Sequence, residues 1–173
     1  MYLTILDLIL ILILFLFIAF GFVLGLVQTI GALIGVVLGA FLAGTFYEPF
    51  GRWLAPFFLG NSNAAKIVAF ILIFTISNRL VGLVFWLINK IFNLISIIPF
   101  TKSLNRILGA ILGLVEGILV LGVILFFLTD FGFSEWFNSI VAASKVAEWL
   151  IWLAGIVTPF LPGLIEKAST YVG

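Results

Sequence analysis

Residues 8–46 read LILILILFLFIAFGFVLGLVQTIGALIGVVLGAFLAGTF and contain no charged side chain. As one straight helix this stretch would be roughly 58 Å long, whereas the hydrocarbon core of a bilayer is about 30 Å thick and is crossed by about 20 residues. The stretch therefore predicts two membrane-spanning helices that fold back on each other. Gly21, Gly25 and Gln28 interrupt the Leu/Ile/Phe pattern, so we expect the turn within residues 21–28.

The composition of the whole chain also indicates a membrane protein. Of its 173 residues, 65% are hydrophobic and 9% are charged, whereas a soluble domain carries about 25% charged residues. The net charge of +1 argues against a nucleic-acid partner, because phosphate binding needs clustered Lys and Arg. The chain has neither Cys nor His, which excludes disulfides and removes the usual general base. We therefore predict no enzymatic activity and no cofactor.

Four membrane spans are predicted, at residues 5–23, 28–46, 67–88 and 107–128. We expect residues 1–128 to form one four-span membrane domain, with loops at residues 47–66 and 89–105. The centre of the second loop, KIFNLISIIPF at residues 90–100, is a candidate for lying flat at the membrane surface. Asp7 falls at the start of the first helix, where the helix dipole favours a carboxylate.

Residues 129–173 differ from the rest and are expected to form a C-terminal amphipathic helix and tail. Ser134 is a predicted N-cap for a helix that runs from Glu135 to about Val157. Three charges in its first half, at Glu135, Lys145 and Glu148, argue against a fifth full span. The predicted fold is therefore all-α: a polytopic four-helix membrane bundle with a C-terminal interfacial helix. A fifth or re-entrant span is the alternative.

Two of the predicted spans carry glycine at every fourth position. In an α-helix each step of four residues drifts by only about 40°, so these glycines stay on one face. In lipid, small residues let helix backbones approach closely and gain dispersion contacts. We predict tight packing inside one subunit, with contacts between copies or a glycine-lined pore as alternatives. The two sets are Gly31, Gly35 and Gly39, and Gly109, Gly113 and Gly117.

Two opposite charges, Arg79 and Glu116, lie inside the third and fourth spans. Each is about 14 Å along its helix from the loop that joins the two spans, so they reach the same depth. A lone charge at the bilayer centre costs at least about 2.5 kcal/mol on insertion scales. We therefore predict a buried Arg79–Glu116 ion pair that acts mainly as a structural clamp. Separate snorkelling of each side chain is the alternative, and an ion or proton relay is a second possible role.

The motif SLNRILGAILGLVEGILV at residues 103–120 resembles the colicin V production protein (CvpA) family of bacterial inner-membrane proteins. That family typically has an Asp/Asn-Arg dipeptide, then Leu-Gly, then a glycine at every fourth position, which Asn105 and Arg106 begin here. An early aspartate and a glycine at the first helix junction also match, at Asp7 and Gly25. Two departures are Leu24 and Gln28 in place of basic residues around the first junction. A third is Glu116, where the family often has Arg.

The resemblance implies a four-span protein of the bacterial inner membrane that supports colicin V production or export and envelope integrity. The resemblance implies no catalytic residue. Two functions follow as hypotheses: a membrane accessory or scaffold protein for bacteriocin toxin production, and a small channel or transporter that uses the intramembrane charges. The expected partners are the lipid bilayer and other membrane or envelope proteins, with a homo-oligomer left open.

The orientation is predicted from the basic residues of the loops. The segment that joins the third and fourth spans carries Lys90, Lys102 and Arg106, against two basic residues at positions 47–66 and none in the first turn. By the positive-inside rule, the segment between the third and fourth spans is cytoplasmic. With four spans, both termini are then outside.

Overall fold

The computed structural model describes residues 3–93, 102–130 and 134–155. Within these ranges the chain is helical and has no strand. Four helices are long and apolar enough to cross a membrane, which confirms the all-α, four-span class. The helices are α1 (Ile5–Leu24), α2 (Leu26–Leu54) followed by a 3₁₀ turn (Ala55–Phe58), α3 (Ser62–Asn93), α4 (Lys102–Asp130), α5 (Glu135–Ala143) and α6 (Lys145–Ala154).

The turn expected within residues 21–28 lies at a single residue, Gly25. Its φ of 80° is a conformation that side chains with a Cβ rarely adopt. The Gly25 N–H donates to the Gly21 carbonyl at 2.9 Å, and the Thr29 N–H and hydroxyl donate to the Gly25 carbonyl at 3.2 and 2.8 Å. Both backbone groups of Gly25 therefore have partners, and α1 passes into α2 without a loop.

The helices do not pack in the order of their connections. α1 and α2 contact each other little; α1 runs antiparallel along α4, and α2 runs antiparallel along α3. The two pairs meet mainly where α2 contacts α4. We call the end of the bundle at the start of α1 the Asp7 end, and the end at the start of α4 the Asn105 end.

The predicted loop at residues 47–66 is largely helical, so this prediction is wrong. α2 continues to Leu54 with Pro49 inside it, and only a tight turn around Gly60 separates the 3₁₀ segment from α3. Tertiary contacts explain the extension: the Lys66 ammonium lies 3.0 Å from the Glu48 carboxylate, and Gly51 packs against the backbone and stem of Lys66. These contacts offset the hydrogen bond that a proline removes from a helix.

The predicted loop at residues 89–105 is also shorter. α3 extends to Asn93 and α4 begins at Lys102, so both helices continue beyond the apolar stretches from which their ends were predicted. The segment expected to lie flat at the membrane surface, residues 90–100, is helical up to Asn93, and its remainder lies outside the described residues. Both helices are therefore longer than the spans predicted from hydropathy alone.

Aromatic packing holds the bundle together toward the Asp7 end. The rings of Phe70 and Phe127 are stacked with centroids 3.7 Å apart, and Tyr47 meets Phe127 edge-on at 5.3 Å. These rings join α2, α3 and α4 in one core. Small residues of α2 complete it and allow the close approach; the buried members include Val36, Ala40, Ala43, Ile67, Phe74, Val123 and Ala154.

The C-terminal segment forms two short helices, which corrects the single helix predicted from Glu135 to about Val157. Ser134 is the N-cap of α5 as predicted, and its hydroxyl accepts the Phe137 N–H at 3.1 Å. The chain then breaks at Ser144, which caps α6. The break has a tertiary cause, because a carboxylate from α1 binds the N-terminus of α6.

The last helix packs into the bundle through its apolar face. Leu150 and Ala154 of α6 lie directly against Gly122 of α4, where an added Cβ would meet the Leu150 carbonyl. The charged residues of α6 and its two tryptophans are exposed. At 9 and 10 residues, α5 and α6 are each about 15 Å long or less, too short to cross a bilayer. Residues beyond 155, including Val157, lie outside the described residues.

Candidate functional site

The glycines of α4 form a closed seam with α1. A Cβ on Gly109 would collide with the Gly21 carbonyl and lie 2.8 Å from the Gly25 Cα, and one on Gly113 would collide with the Phe17 carbonyl. Gly117 sits one turn further along, where a Cβ would be 2.9 Å from the Phe17 Cβ. The two backbones are therefore in direct contact, and we call this contact the α1–α4 seam.

The glycines of α2 face α3 in a similar way. Gly31 lies against the ring of Phe85, Gly35 against the side-chain oxygen of Asn78, and Gly39 against the backbone carbonyl of Phe74. Each of the six predicted glycines therefore contacts a neighbouring helix of the same chain. The described glycine faces line no pore.

The Asn105 end of the seam is held by a cap contributed from another helix. Gly25 precedes α2 but has no side chain with which to cap it. The Asn105 side-chain oxygen accepts the Leu26 N–H at 3.1 Å, so α4 supplies the cap that α2 lacks. A Cβ on Gly25 would collide with this amide. The neighbouring Arg106 guanidinium lies over the Phe22 ring, 5.6 Å from its centroid.

The Asp7 end is held by a buried carboxylate. Asp7 forms a capping box with Thr4 at the start of α1, and its side chain is 2% exposed. Its second oxygen accepts the Ser144 hydroxyl at 2.6 Å and the Val146 N–H at 3.0 Å. One carboxylate thus serves the N-termini of both α1 and α6, where the two helix dipoles favour negative charge.

Sequence reasoning did not identify Ser144, Val146 or Gly122 as partners in this arrangement. A serine directly before the run KVAEW is a typical N-cap signal, so the break at Ser144 was readable. The pairing of Ser144 with Asp7 was not, because 137 positions separate them. Gly122 has no glycine four residues later, so the spacing rule that found the other glycines passes over it.

The predicted Arg79–Glu116 ion pair is not formed. Among the described residues, neither belongs to an ion pair with an N–O distance within 4.0 Å, and neither makes a side-chain hydrogen bond. The reason is the pairing of the helices, since α3 packs on α2 and α4 packs on α1, and α3 and α4 contact each other little. Arg79 and Glu116 are therefore separated by more than a salt-bridge distance.

We call this separation the α3–α4 gap. Toward the Asp7 end it is closed by the stacked rings of Phe70 and Phe127. Glu116 is half-buried and lies two turns before Val123 on the core-facing side of α4. Arg79 on the other wall is exposed. The gap therefore places one acid and one base on opposite walls, at the middle of two membrane-spanning helices.

One face of α3 beside this gap is uncovered. Arg79 shares it with residues three and four positions away. A Cβ on Gly82 would meet no heavy atom within 4 Å, and the Lys90 ammonium lies 5.0 Å from the centroid of the Trp86 ring. We call this surface the Arg79 face; it consists of Thr75, Arg79, Gly82, Trp86 and Lys90.

Within the described residues no group of three or more carboxylates lies close enough together to hold a metal ion. The arrangement can instead bind an opposite charge inside the membrane, because a guanidinium presents several donors in a plane that matches a carboxylate. The α3–α4 gap with the Arg79 face is therefore the candidate functional site.

Comparison with known proteins adds a family to this architecture. The chain is 28% identical over 169 residues to the "Uncharacterized transmembrane protein YshB" of Bacillus subtilis (strain 168), an alignment that covers 88% of each chain. No solved structure matches the chain. The sequence pattern of the family described as "Colicin V production protein" matches residues 6–155, a segment that runs from the first turn of α1 to just past the end of α6. The chain therefore belongs to the colicin V production protein family.

Proposed function

We propose that this multi-pass membrane protein is a non-enzymatic accessory or scaffold that supports bacteriocin toxin production or export and envelope homeostasis. The family description, colicin V production protein, supports the link to toxin production. The lack of Cys and His in the sequence supports a role without catalysis. One structural observation carries the scaffold role: the Arg79 face lies at the middle of a span, and no acid of the described chain pairs with it.

A cation in that position favours contact with another molecule. Charged residues within membrane spans usually pair or face a polar surface, because an unpaired charge in hydrocarbon is costly. The α1–α4 seam, by contrast, is already closed by backbone contacts. The Arg79 face is thus the surface through which the protein would gather other membrane or envelope components.

We place the protein in the bacterial inner membrane with the Asn105 end in the cytoplasm and both termini outside. Support comes from Lys90, Lys102 and Arg106, which lie around the connection between α3 and α4, since basic residues favour the cytoplasmic side. Arg52, Lys66 and Lys145 lie toward the Asp7 end, and cysteine labelling tests the assignment. Because the chain has no Cys, single cysteines at positions 62 and 104 can be labelled with an impermeant maleimide from outside intact cells. Labelling at 104 rather than 62 would reverse the orientation.

The scaffold role is tested by deletion and complementation in a bacterium that secretes a bacteriocin. We expect deletion to lower secreted toxin activity and to raise leakage of periplasmic enzymes, and the wild-type chain to restore both. Arg79→Leu should fail to restore them, whereas the exposed neighbour variant Leu80→Ala should succeed. Normal toxin secretion and normal leakage in the deletion strain would contradict the proposal.

A small channel or transporter is the second candidate, and the α3–α4 gap favours it. Arg79 and Glu116 stand on opposite walls of this gap at mid-span, and intramembrane charges often mark ion or solute pathways. The test is flux through proteoliposomes that contain the purified protein. A specific leak abolished by Glu116→Gln would support the channel, whereas a tight bilayer would favour the scaffold.

A further inference from the structure

Arg79 occupies the middle of α3 rather than either end. Along the helix it is about 20 Å from Lys66 and about 17 Å from Lys90. These two lysines bracket a length close to that of a membrane span, which places Arg79 near the bilayer midplane. The side chain is exposed, so the described fold does not shield its charge.

The acid on the opposite wall does not neutralise it directly. Glu116 is beyond salt-bridge distance, and it lies on α4, which packs far more extensively against α1 and α2 than against α3. The Arg79 face itself carries two cations, Arg79 and Lys90, and no acid. A partner for this surface is therefore acidic at the level of Arg79.

The depth of Arg79 in the membrane limits which acidic groups can reach it. Lipid phosphates lie at the edges of a hydrocarbon core about 30 Å thick, hence about 15 Å from the midplane. A second copy of this chain docked symmetrically through the same face would bring one Arg79 against the other, because such a contact uses the same patch on both subunits. A carboxylate at mid-depth on another helix satisfies both constraints.

The shape of the face suits a helix. Gly82 leaves open space, with no heavy atom within 4 Å of an added Cβ, and a glycine at a contact lets two helix backbones approach closely. One turn further on, Trp86 is 43% exposed and carries Lys90 over its ring. A helix seated at Gly82 would therefore have the Arg79 guanidinium on one side and an aromatic ring on the other.

We propose that the Arg79 face binds a membrane-spanning helix of a different protein, one that presents an Asp or Glu carboxylate at mid-membrane depth. The carboxylate accepts hydrogen bonds from the Arg79 guanidinium, and the partner backbone lies over Gly82. This inference deepens the proposed scaffold function by stating the chemistry of its partner.

The test is photocrosslinking of the full-length protein in native membranes. Since the chain contains no Cys, Thr75→Cys labelled with benzophenone maleimide reports on this face and leaves Gly82 unchanged. Leu80→Cys is the control, because Leu80 is 60% exposed and points about 140° away, about 7.5 Å further along the helix. We expect a discrete protein adduct from position 75 and none from position 80, with mass spectrometry placing the crosslink in a membrane helix that contains Asp or Glu.

Further substitutions test which charged residue of this chain binds the partner. Arg79→Leu should reduce the adduct about tenfold, equivalent to about 1.4 kcal/mol of association free energy, while Leu80→Ala, outside the Arg79 face, leaves it unchanged. Reversal of both charges, with Arg79→Asp in this chain and Arg at the partner's acidic position, should restore the adduct. Failure of that restoration would overturn the proposal even if single variants behave as expected.

Other outcomes would also overturn it. Adducts with lipid alone, or with a second copy of this chain alone, would each assign the face to a different occupant. Equal loss of the adduct in Arg79→Leu and Glu116→Gln would show that the two residues act as a pair within one chain. Toxin secretion is measured separately. If the partner binds the Arg79 face but deletion of this protein leaves secretion unchanged, the scaffold function is refuted and the docking surface remains.

Discussion

Two contacts of α4 use opposite ways of meeting a neighbouring helix. At the first, Gly109 and Gly113 bring its backbone against the backbone of α1, and no space remains for a side chain. At the second, about two turns after Gly109, Glu116 and Arg79 bound the α3–α4 gap and are not in salt-bridge contact. The seam is closed by the smallest residues of the chain, whereas the gap is bounded by two of its few charges.

This difference follows from the absence of a hydrophobic driving force between helices in lipid. Hydrocarbon gives no hydrophobic drive for helices to associate, so a tight contact needs close packing of small residues. Charged side chains are large and need partners, and they hold helices apart unless their geometry is satisfied. We infer that the seam specifies the fold and that the gap is available for function. Four predictions test this division.

The largest effect is expected from filling the seam. In Gly109→Leu the new side chain would collide with the Gly21 carbonyl and crowd the Gly25 Cα, so α1 must move away from α4. Overpacking costs about 1–3 kcal/mol of stability, and more where the backbone must shift. We therefore expect the free energy of unfolding to fall by more than about 3 kcal/mol. Denaturant unfolding of the detergent-solubilised protein measures it. Gly82→Leu, in open space, is the control and should cost less than about 0.5 kcal/mol.

A smaller effect is expected at the Asp7 end of the seam. Ser144→Ala removes the N-cap of α6 and the hydroxyl that Asp7 binds at 2.6 Å, so we expect a loss of about 1–2 kcal/mol. The matched control is Ser134→Ala, which removes the cap of α5 at a serine for which no bond to Asp7 is seen. Hydrogen exchange at the Ala147 amide should rise in Ser144→Ala only. Equal destabilisation by both variants would mean that Asp7 adds nothing to the cap.

The cap at the Asn105 end is expected to contribute about 1 kcal/mol. Asn105→Ala leaves the Leu26 N–H without the acceptor that it has at 3.1 Å, and the start of α2 should fray. Asn105→Asp keeps an acceptor and adds a charge that the helix N-terminus favours, so its stability should match the parent. Thermal unfolding together with hydrogen exchange at Leu26 measures both variants. A large loss of stability in Asn105→Asp would show that the amide nitrogen of Asn105, rather than its oxygen, stabilises the start of α2.

The smallest effect on stability is expected from the gap. Arg79→Leu removes a charge that contacts no acid, so unfolding free energy should change by no more than about 0.5 kcal/mol. Membrane insertion should improve, because a central Arg costs at least about 2.5 kcal/mol on insertion scales. Unfolding in detergent and yield in membranes are the two measurements. If Arg79→Leu is as destabilising as Gly109→Leu, and Arg79→Glu with Glu116→Arg restores the loss, the two charges form a structural clamp and the gap is closed.

Several features were readable from local sequence because lipid imposes strict rules. Residues 8–46 are too long for one span, so two helices followed, and the interruptions at Gly21, Gly25 and Gln28 bracketed the turn that the structure has at Gly25. The four-residue glycine spacing identified helix faces that do contact other helices. Ser134 was recognised as a cap from its position before an apolar helical run. In each case the physical cause lies within a few residues of the pattern.

Other features depended on partners distant in the chain. The helical extension through Pro49 relies on contacts between α2 and Lys66 of α3, which hydropathy does not report. The break at Ser144 is stabilised by Asp7, at the other end of the chain. The predicted Arg79–Glu116 pair assumed that helices joined by one loop pack together along their length, whereas α3 and α4 meet closely only toward the Asp7 end.

The sequence by itself therefore determined that this protein crosses the membrane four times, where its first turn lies, and which small-residue faces can approach another helix. Those outcomes follow from the bilayer thickness and from the backbone geometry that only glycine permits. The tertiary structure decided which helices are neighbours, because several glycine faces could pair with one another and lipid favours none of the combinations in advance. That choice joined α1 to α4, separated Arg79 from Glu116, and left a charged face of α3 open to a partner.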